Sequence, residues 1–165
     1  MVKSFNISSE KNLLSLLKHD LQLRNGNTFI YMYKNGCPYC SMMTTEWSNM
    51  KTKCGSSFEN ENINIIDIDA EMMQKPILYE NSFFKDKLNN VQGYPTIRLF
   101  PYKKNNIEFD EPRTTDNFIN FMRRNIDKEI PIVKQRIPMI KTNNETKNMI
   151  NEKKDNNEKK YKKEK

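Results

Sequence analysis

A short apolar segment leads directly into two cysteines, and this junction constrains the fold more than any other part of the sequence. Residues 28–33 (Thr-Phe-Ile-Tyr-Met-Tyr) are β-branched and aromatic, which predicts a buried strand. Residues 38–53 predict a helix with one buried face. That face carries four residues at 4-3-4 spacing: Met43, Trp47, Met50 and Cys54. The Cys37-Pro38-Tyr39-Cys40 segment therefore lies at a strand-to-helix turn.

Helical and extended patterns alternate along residues 1–129, which we interpret as one domain. Ser8 or Ser9 is expected to cap the first helix, and Gly55 to end the second. Strands that alternate with helices indicate an α/β fold with a partly parallel sheet, and a final hairpin makes the sheet mixed. The further helices are predicted at residues 8–24, 77–89 and 114–126. The further strands are predicted at residues 62–69, 96–100 and 107–109.

The composition of the chain changes after residue 129. Residues 130–140 combine two prolines with apolar side chains and predict an extended strap. Residues 141–165 contain nine lysines and five acidic residues, and therefore carry +4 of the net charge of +7. Too few large apolar side chains remain there to offset the entropy of ordering, which predicts a disordered basic tail. Such a mixed-charge tail favours a solvated extension over a nucleic-acid contact.

The two cysteines of the turn have the spacing of a redox-active pair. Residues three apart at a helix start can bring their Cβ atoms close enough for a reversible disulfide. Cys37 lies where the unpaired N–H groups and the positive end of the helix dipole favour a thiolate. Cys40, one turn further on, is expected to be more buried and to remain a thiol. Pro38 suits the first helical position, where no N–H is needed.

A structural metal site is the main alternative interpretation of the two cysteines. A zinc site needs two more ligands, and Cys54 and His19 are the only other cysteine and histidine in the sequence. His19 lies in a charged helical segment typical of surface histidines, and Cys54 lies on the apolar helix face. We therefore predict no metal, although an iron–sulfur cluster shared between two chains is a further alternative.

A second motif, Val91-Gln92-Gly93-Tyr94-Pro95-Thr96, precedes a predicted strand, and a proline there is an expected place for a cis bond. Together with Cys37-Pro38-Tyr39-Cys40, it makes residues 5–127 resemble the thioredoxin superfamily. The cysteine motif is similar to that of dithiol glutaredoxins, and the proline motif to that of protein disulfide isomerase domains. The resemblance implies a thioredoxin fold.

The resemblance also implies roles for individual residues. Pro95 is expected to be cis, to face Cys37 and to shape a groove for a substrate strand. Lys34 is similar to the lysine that glutaredoxins place near the carboxylate of glutathione. Arg113 matches the loop arginine with which disulfide isomerases lower the pKa of the second cysteine, but it also suits a solvated arginine at a helix start. We assign four residues to substrate binding: Tyr39, Tyr94, Pro95 and Thr96.

The sequence departs from the family pattern at three places. Tyr31 stands six residues before Cys37, where thioredoxins and isomerase domains carry a buried carboxylate, so the Cys40 proton must move through water or another group. Gly36 replaces the tryptophan that usually precedes the first cysteine. The Gly-Gly turn and acidic pair that bind glutathione in glutaredoxins are absent around residues 107–116. We therefore expect no cofactor, with glutathione only as an alternative reductant.

These features predict a thiol–disulfide oxidoreductase that acts through the Cys37–Cys40 pair on protein substrates, with an upstream reductase or oxidase as partner. The Pro-Tyr dipeptide suggests a potential of roughly −200 to −230 mV. The alternative is a non-catalytic module that binds partners through the Pro95 groove or the basic tail. No membrane span and no signal peptide are visible, so a cytoplasmic location is expected, with the virion of a large DNA virus as a further setting.

Overall fold

The computed structural model describes residues 1–126, so the predicted strap and tail lie outside the described residues. The described chain contains five strands and six helices. The strands are β1 (Val2–Ile7), β2 (Asn27–Tyr33), β3 (Ile63–Asp69), β4 (Thr96–Phe100) and β5 (Ile107–Glu108). The helices are α1 (Glu10–Leu17), α2 (Asp20–Arg24), α3 (Pro38–Ser57), α4 (Ala70–Met73), α5 (Pro76–Glu80) and α6 (Thr115–Asn125).

The strands form one mixed sheet in the order β1-β3-β2-β4-β5. Strands β1, β3 and β2 are parallel, whereas β4 is antiparallel to β2 and β5 is antiparallel to β4. The predicted α/β fold with a mixed sheet and a terminal hairpin is confirmed. Because β2 is the central strand, the turn that follows it lies in the middle of the sheet, at the end where β2 terminates.

Each face of the sheet is covered by its own apolar core. Alternate residues of β2 point to opposite faces, with Phe29 and Tyr31 on one side and Ile30 and Met32 on the other. The first face packs against α3 and α6, and the second against α1, α2 and the segment that follows β3. Helix α3, which begins with the cysteine motif, is thus held against the sheet along its length.

Strand β1 was not predicted from the sequence. It pairs with β3 at the sheet edge, in register from Val2 opposite Ile63 to Ile7 opposite Ile68. Only Ile7 of this strand is fully buried. A polar edge strand of this kind lacks the continuous apolar run that marked the central strands.

The predicted helix over residues 77–89 is wrong, because only Pro76–Glu80 is helical. Asn81 is extended, and its side-chain oxygen accepts hydrogen bonds from the backbone N–H groups of Phe83 (2.9 Å) and Phe84 (3.4 Å). The asparagine thereby offers the backbone an alternative to the helical hydrogen bonds. Turns follow, and the apolar residues of this segment are buried without helical geometry.

Two helix boundaries also differ from the prediction. Helix α3 continues past Gly55 to Ser57, so Gly55 is an interior residue and not the cap. The predicted helix over residues 8–24 divides into α1 and α2 at Lys18 and His19, where the His19 N–H bonds the Leu16 carbonyl in a tighter turn. The Ser9 side chain caps α1 by accepting from the Asn12 N–H, as predicted.

Candidate active site

The two cysteines of the motif lie at the first turn of α3, and their sulfur atoms differ in surroundings. Cys37 is the N-cap residue, and its Sγ accepts a hydrogen bond from the backbone N–H of Cys40 at 3.3 Å. Pro38 occupies the first helical position. Gly36 has a φ of +75°, a conformation that favours glycine, and this allows the chain to turn sharply from β2 into α3.

The surroundings of Cys37 stabilise its thiolate. The hydrogen bond with the Cys40 thiol is the main cause that lowers the pKa of Cys37, and the backbone N–H groups of Cys40 and Tyr39 act in the same direction. The positive charge of Arg113 lowers this pKa further. Cys37 is partly exposed and is therefore accessible to an incoming disulfide.

Cys40 has the opposite character. Its side chain is buried, and burial is the main cause that raises its pKa. The hydrogen bond to Cys37 and the charge of that sulfur raise the pKa further, whereas the backbone N–H of Lys34 and the Tyr31 hydroxyl lower it. The pair therefore consists of an accessible sulfur whose surroundings favour the thiolate and a sheltered sulfur whose surroundings favour the thiol.

The proline loop lies directly beside Cys37. The Tyr94–Pro95 peptide bond is cis, and the Cys37 thiol lies 3.5 Å from the Tyr94 carbonyl oxygen. Pro95 is buried. The Thr96 hydroxyl donates to the Gly93 carbonyl at 2.7 Å, so this side chain braces the loop and does not extend into the solvent.

The other residues assigned from the sequence surround this centre at different depths. The Tyr39 side chain is 66% exposed and Tyr94 is half-buried. The guanidinium of Arg113 donates to the Pro95 carbonyl at 3.4 Å, so this arginine is attached to the proline loop although it is largely exposed. Its charge lowers the pKa of Cys37. Lys34 is exposed, and its carbonyl accepts from the Cys37 N–H at 3.2 Å.

A buried polar cluster beneath the cysteines was not assigned from the sequence. Asp67 of β3 accepts hydrogen bonds from the Trp47 indole N–H at 2.7 Å and from the Lys51 ammonium at 2.6 Å. Asp67 lies opposite Tyr31 in the register of the two parallel strands. Tyr31 and Asp67 become neighbours only when β2 and β3 are aligned in the correct register. The sequence of either strand alone does not give that register.

The two side chains weighed as metal ligands lie in other parts of the fold. Cys54 is fully buried in the core, and burial raises its pKa to about 12. His19 packs its ring 5.4 Å from that of Phe5. Within residues 1–126, no three His, Cys, Asp or Glu side chains are grouped closely enough to hold a metal ion. None of the helices in this range combines the length and hydropathy that a membrane-spanning segment requires.

Two cysteines follow the central strand and lie beside a proline loop. A comparison of the sequence with models of protein families agrees with this geometry. The thioredoxin family model matches residues 10–124. The chain belongs to the thioredoxin family. The match runs from the first residue of α1 to Arg124, one residue before the end of α6, and it includes every residue assigned above to the site.

Three solved structures have a similar fold. Human ERp44 form II superposes with a TM-score of 0.53 at 17% identity, over 74% of this chain and 30% of ERp44. ERdj5 form II gives a TM-score of 0.52 at 16% identity, over 75% of this chain and 15% of ERdj5. The first two thioredoxin domains of Saccharomyces cerevisiae Eps1p give 0.50 at 24% identity, over 66% and 38% of the two chains.

These similarities show the fold of the thioredoxin-family chain. The chain spans less than half the length of each of these three structures. A search of curated protein sequences gave no match.

Proposed function

We propose that this thioredoxin-family chain is a protein thiol–disulfide oxidoreductase. The observation that carries the proposal is the contrast between the two cysteines of one helical turn. Cys37 is accessible and its pKa is lowered, whereas Cys40 is buried and its pKa is raised. Disulfide exchange needs two different sulfurs. The thiolate is the attacking species, and the second thiol reacts only after a mixed disulfide has formed.

The reaction begins when the Cys37 thiolate attacks one sulfur of a substrate disulfide. A Cys37–substrate disulfide forms, and the other substrate sulfur leaves as a thiolate that takes a proton from solvent. Cys40 then loses its proton and attacks Cys37, which forms the Cys37–Cys40 disulfide and releases the second substrate thiolate. The substrate is reduced by two electrons and the cysteine pair is oxidised by two. The reverse sequence oxidises a substrate dithiol.

The surface around Cys37 supports a protein substrate. The partly exposed thiol lies 3.5 Å from the Tyr94 carbonyl, at a loop with a buried proline. Exposed aromatic surface is available at Tyr39, two residues after Cys37. An aromatic side chain beside a reactive sulfur favours a polypeptide over a small polar thiol, because it offers contact area next to the cysteine. An upstream reductase or oxidase would return the pair to its starting state.

Insulin reduction in the presence of dithiothreitol tests the proposal. The wild-type chain is expected to accelerate precipitation of the insulin B chain, and the Cys37→Ser chain to lose this activity. In a separate incubation with oxidised insulin and no dithiothreitol, the Cys40→Ser chain is expected to accumulate mixed disulfides that added dithiothreitol reduces. Cys54→Ala is the matched control, because Cys54 is a core thiol whose pKa is raised to about 12.

Wild-type activity that survives in Cys37→Ser would falsify the proposal. A chain with no activity in any form would instead support the alternative of a non-catalytic binding module.

A further inference from the structure

The buried tyrosine beside the cysteine pair has no role in the exchange steps described above. Tyr31, on β2, is 7% exposed, and its hydroxyl lies 3.4 Å from the Cys40 carbonyl oxygen. The hydroxyl donates its proton to that carbonyl, and its position beside Cys40 also favours the thiolate and lowers the pKa of Cys40.

The surroundings of Tyr31 keep its hydroxyl protonated. Burial is the main cause that raises its pKa, and the charges of Cys40, Asp67 and Cys37 raise it further. A tyrosine in this state is a hydrogen-bond donor at neutral pH and does not accept a proton. It therefore differs in kind from a buried carboxylate, which could take the Cys40 proton.

We propose that Tyr31 acts in the resolving step, where its hydroxyl turns from the Cys40 carbonyl and donates its hydrogen bond to the Cys40 sulfur as negative charge develops on that atom. The proposal rests on the proposed function, because it assigns a role within the second half of disulfide exchange. A hydrogen bond to a charged group in a buried site is stronger than one to a neutral group, so the contact favours the thiolate over the thiol.

The proton and electron balance of this step needs no further reagent. The Cys40 thiol releases its proton to solvent, and its sulfur forms a bond to the Cys37 sulfur. The bond between Cys37 and the substrate breaks, and the departing substrate thiolate takes a proton from solvent. Tyr31 keeps its own proton throughout, since only the acceptor of its hydrogen bond changes.

The charges around this contact come from each element packed against it. Helix α3 contributes Cys37 and Lys51, β3 contributes Asp67, and the proline loop contributes Tyr94. The Asp67 carboxylate opposes a new negative charge on Cys40, but the Lys51 ammonium, 2.6 Å from one carboxylate oxygen, offsets it. The hydroxyl of Tyr31 is thus a neutral donor in this cluster that can stabilise the thiolate.

Reaction of the reduced chain with one equivalent of Ellman's reagent separates the two halves of exchange. The first nitrothiobenzoate released reports attack by Cys37, and the second reports attack by Cys40. In Tyr31→Phe, the first phase is expected to remain unchanged at neutral pH and the second to become about threefold slower. Loss of a hydrogen bond to a charged group raises the pKa of Cys40 by about one unit, which lowers the fraction of Cys40 present as thiolate. The more basic thiolate is a stronger nucleophile, which offsets part of the loss in rate.

Tyr33→Phe is the matched control. Tyr33 lies on the same strand and the same face, with its ring centroid 5.3 Å from that of Tyr31. It is expected to leave both phases unchanged. Equal second phases in wild type and Tyr31→Phe would overturn the proposal.

A titration separates this proposal from the proposed function. In a Cys37→Ala background, the ¹³Cβ resonance of Cys40 reports its protonation without any exchange reaction. Tyr31→Phe is expected to raise the midpoint by about one pH unit, and Tyr33→Phe to leave it in place. An unshifted midpoint refutes the role of Tyr31 even in an active chain. A shifted midpoint in a chain with no insulin reduction refutes the proposed function and leaves the contact established.

Discussion

Glu46 of α3 accepts two hydrogen bonds from Thr115, the first residue of α6. The backbone N–H of Thr115 lies 2.7 Å and its hydroxyl 2.6 Å from the same carboxylate oxygen. The carboxylate thus bonds one of the N–H groups that have no partner within the helix. Because α3 begins with the two cysteines, this contact fixes the cysteine helix to its neighbour and, through α6, to the loop that holds Arg113.

The first prediction concerns the pH dependence of stability. The hydrogen bonds from Thr115 lower the pKa of Glu46 in the folded protein, so its contribution is present above the unfolded pKa of about 4.3 and is lost as pH falls through the folded pKa. Glu46→Gln is therefore expected to lower the melting temperature at neutral pH, and the difference from wild type is expected to shrink in acid. Circular dichroism melts across this range measure it, with the exposed Glu59→Gln as control. A difference that does not change with pH would contradict the charge-based argument.

The second prediction compares two glycines. Gly36 has a φ of +75°, so Gly36→Ala is expected to destabilise the fold by about 1–2 kcal/mol. Gly55 lies within α3, and a Cβ added there meets no atom within 4 Å. Gly55→Ala is therefore expected to stabilise the fold by about 0.5–1 kcal/mol. Urea unfolding measures both changes, and opposite signs are expected; equal signs would show that backbone conformation does not decide the result.

The third prediction concerns Arg113. Its charge lowers the pKa of Cys37, so Arg113→Gln is expected to raise that pKa. The rate of alkylation by iodoacetamide, followed against pH, is then expected to rise at a higher pH than in wild type. Arg123→Gln, on the exposed side of α6, is the control and is expected to leave the profile in place. Coincident profiles for wild type and Arg113→Gln would show that solvent screens the charge completely.

The fourth prediction concerns the direction of exchange. The causes that stabilise the Cys37 thiolate also stabilise the reduced pair, which makes the protein a better oxidant. Equilibration with mixtures of reduced and oxidised glutathione, read by mass spectrometry of alkylated cysteines, is expected to give a midpoint of roughly −200 to −230 mV. A midpoint below the thioredoxin value of about −270 mV would contradict this expectation.

The central strands and the cysteine helix could be predicted from the sequence because each carries a strong local signal. Residues 28–33 are continuously apolar or β-branched, and α3 combines a proline start with a regular apolar face. Strand β1 carries no such signal, since its pairing with β3 depends on backbone hydrogen bonds and not on a buried side-chain pattern. Asn81 ends α5, because its side-chain oxygen accepts a hydrogen bond that competes with the helical ones. This interaction outweighs the apolar spacing of the residues after Asn81, which favoured a longer helix.

The candidate site could be predicted in its parts but not in its connections. Cys37, Cys40 and Pro95 were assigned from motifs, and these positions lie together in the structure. The contact between Tyr31 and Cys40 could not be derived, because it depends on how α3 packs over β2. In the sequence, Tyr31 is recognisable only as a departure from the family pattern. The packing places its hydroxyl 3.4 Å from the Cys40 carbonyl oxygen, beside the second cysteine.

The single tryptophan of the chain gives the site an internal optical label. Trp47 follows Cys40 by seven residues on the same helix, and its ring lies 5.1 Å from that of Tyr31 and 5.2 Å from that of Phe118. Its N–H is bound to Asp67. Any change in ring packing or in charge beneath the cysteines therefore alters the environment of one indole, and the emission spectrum of the unmodified protein can follow that change in real time.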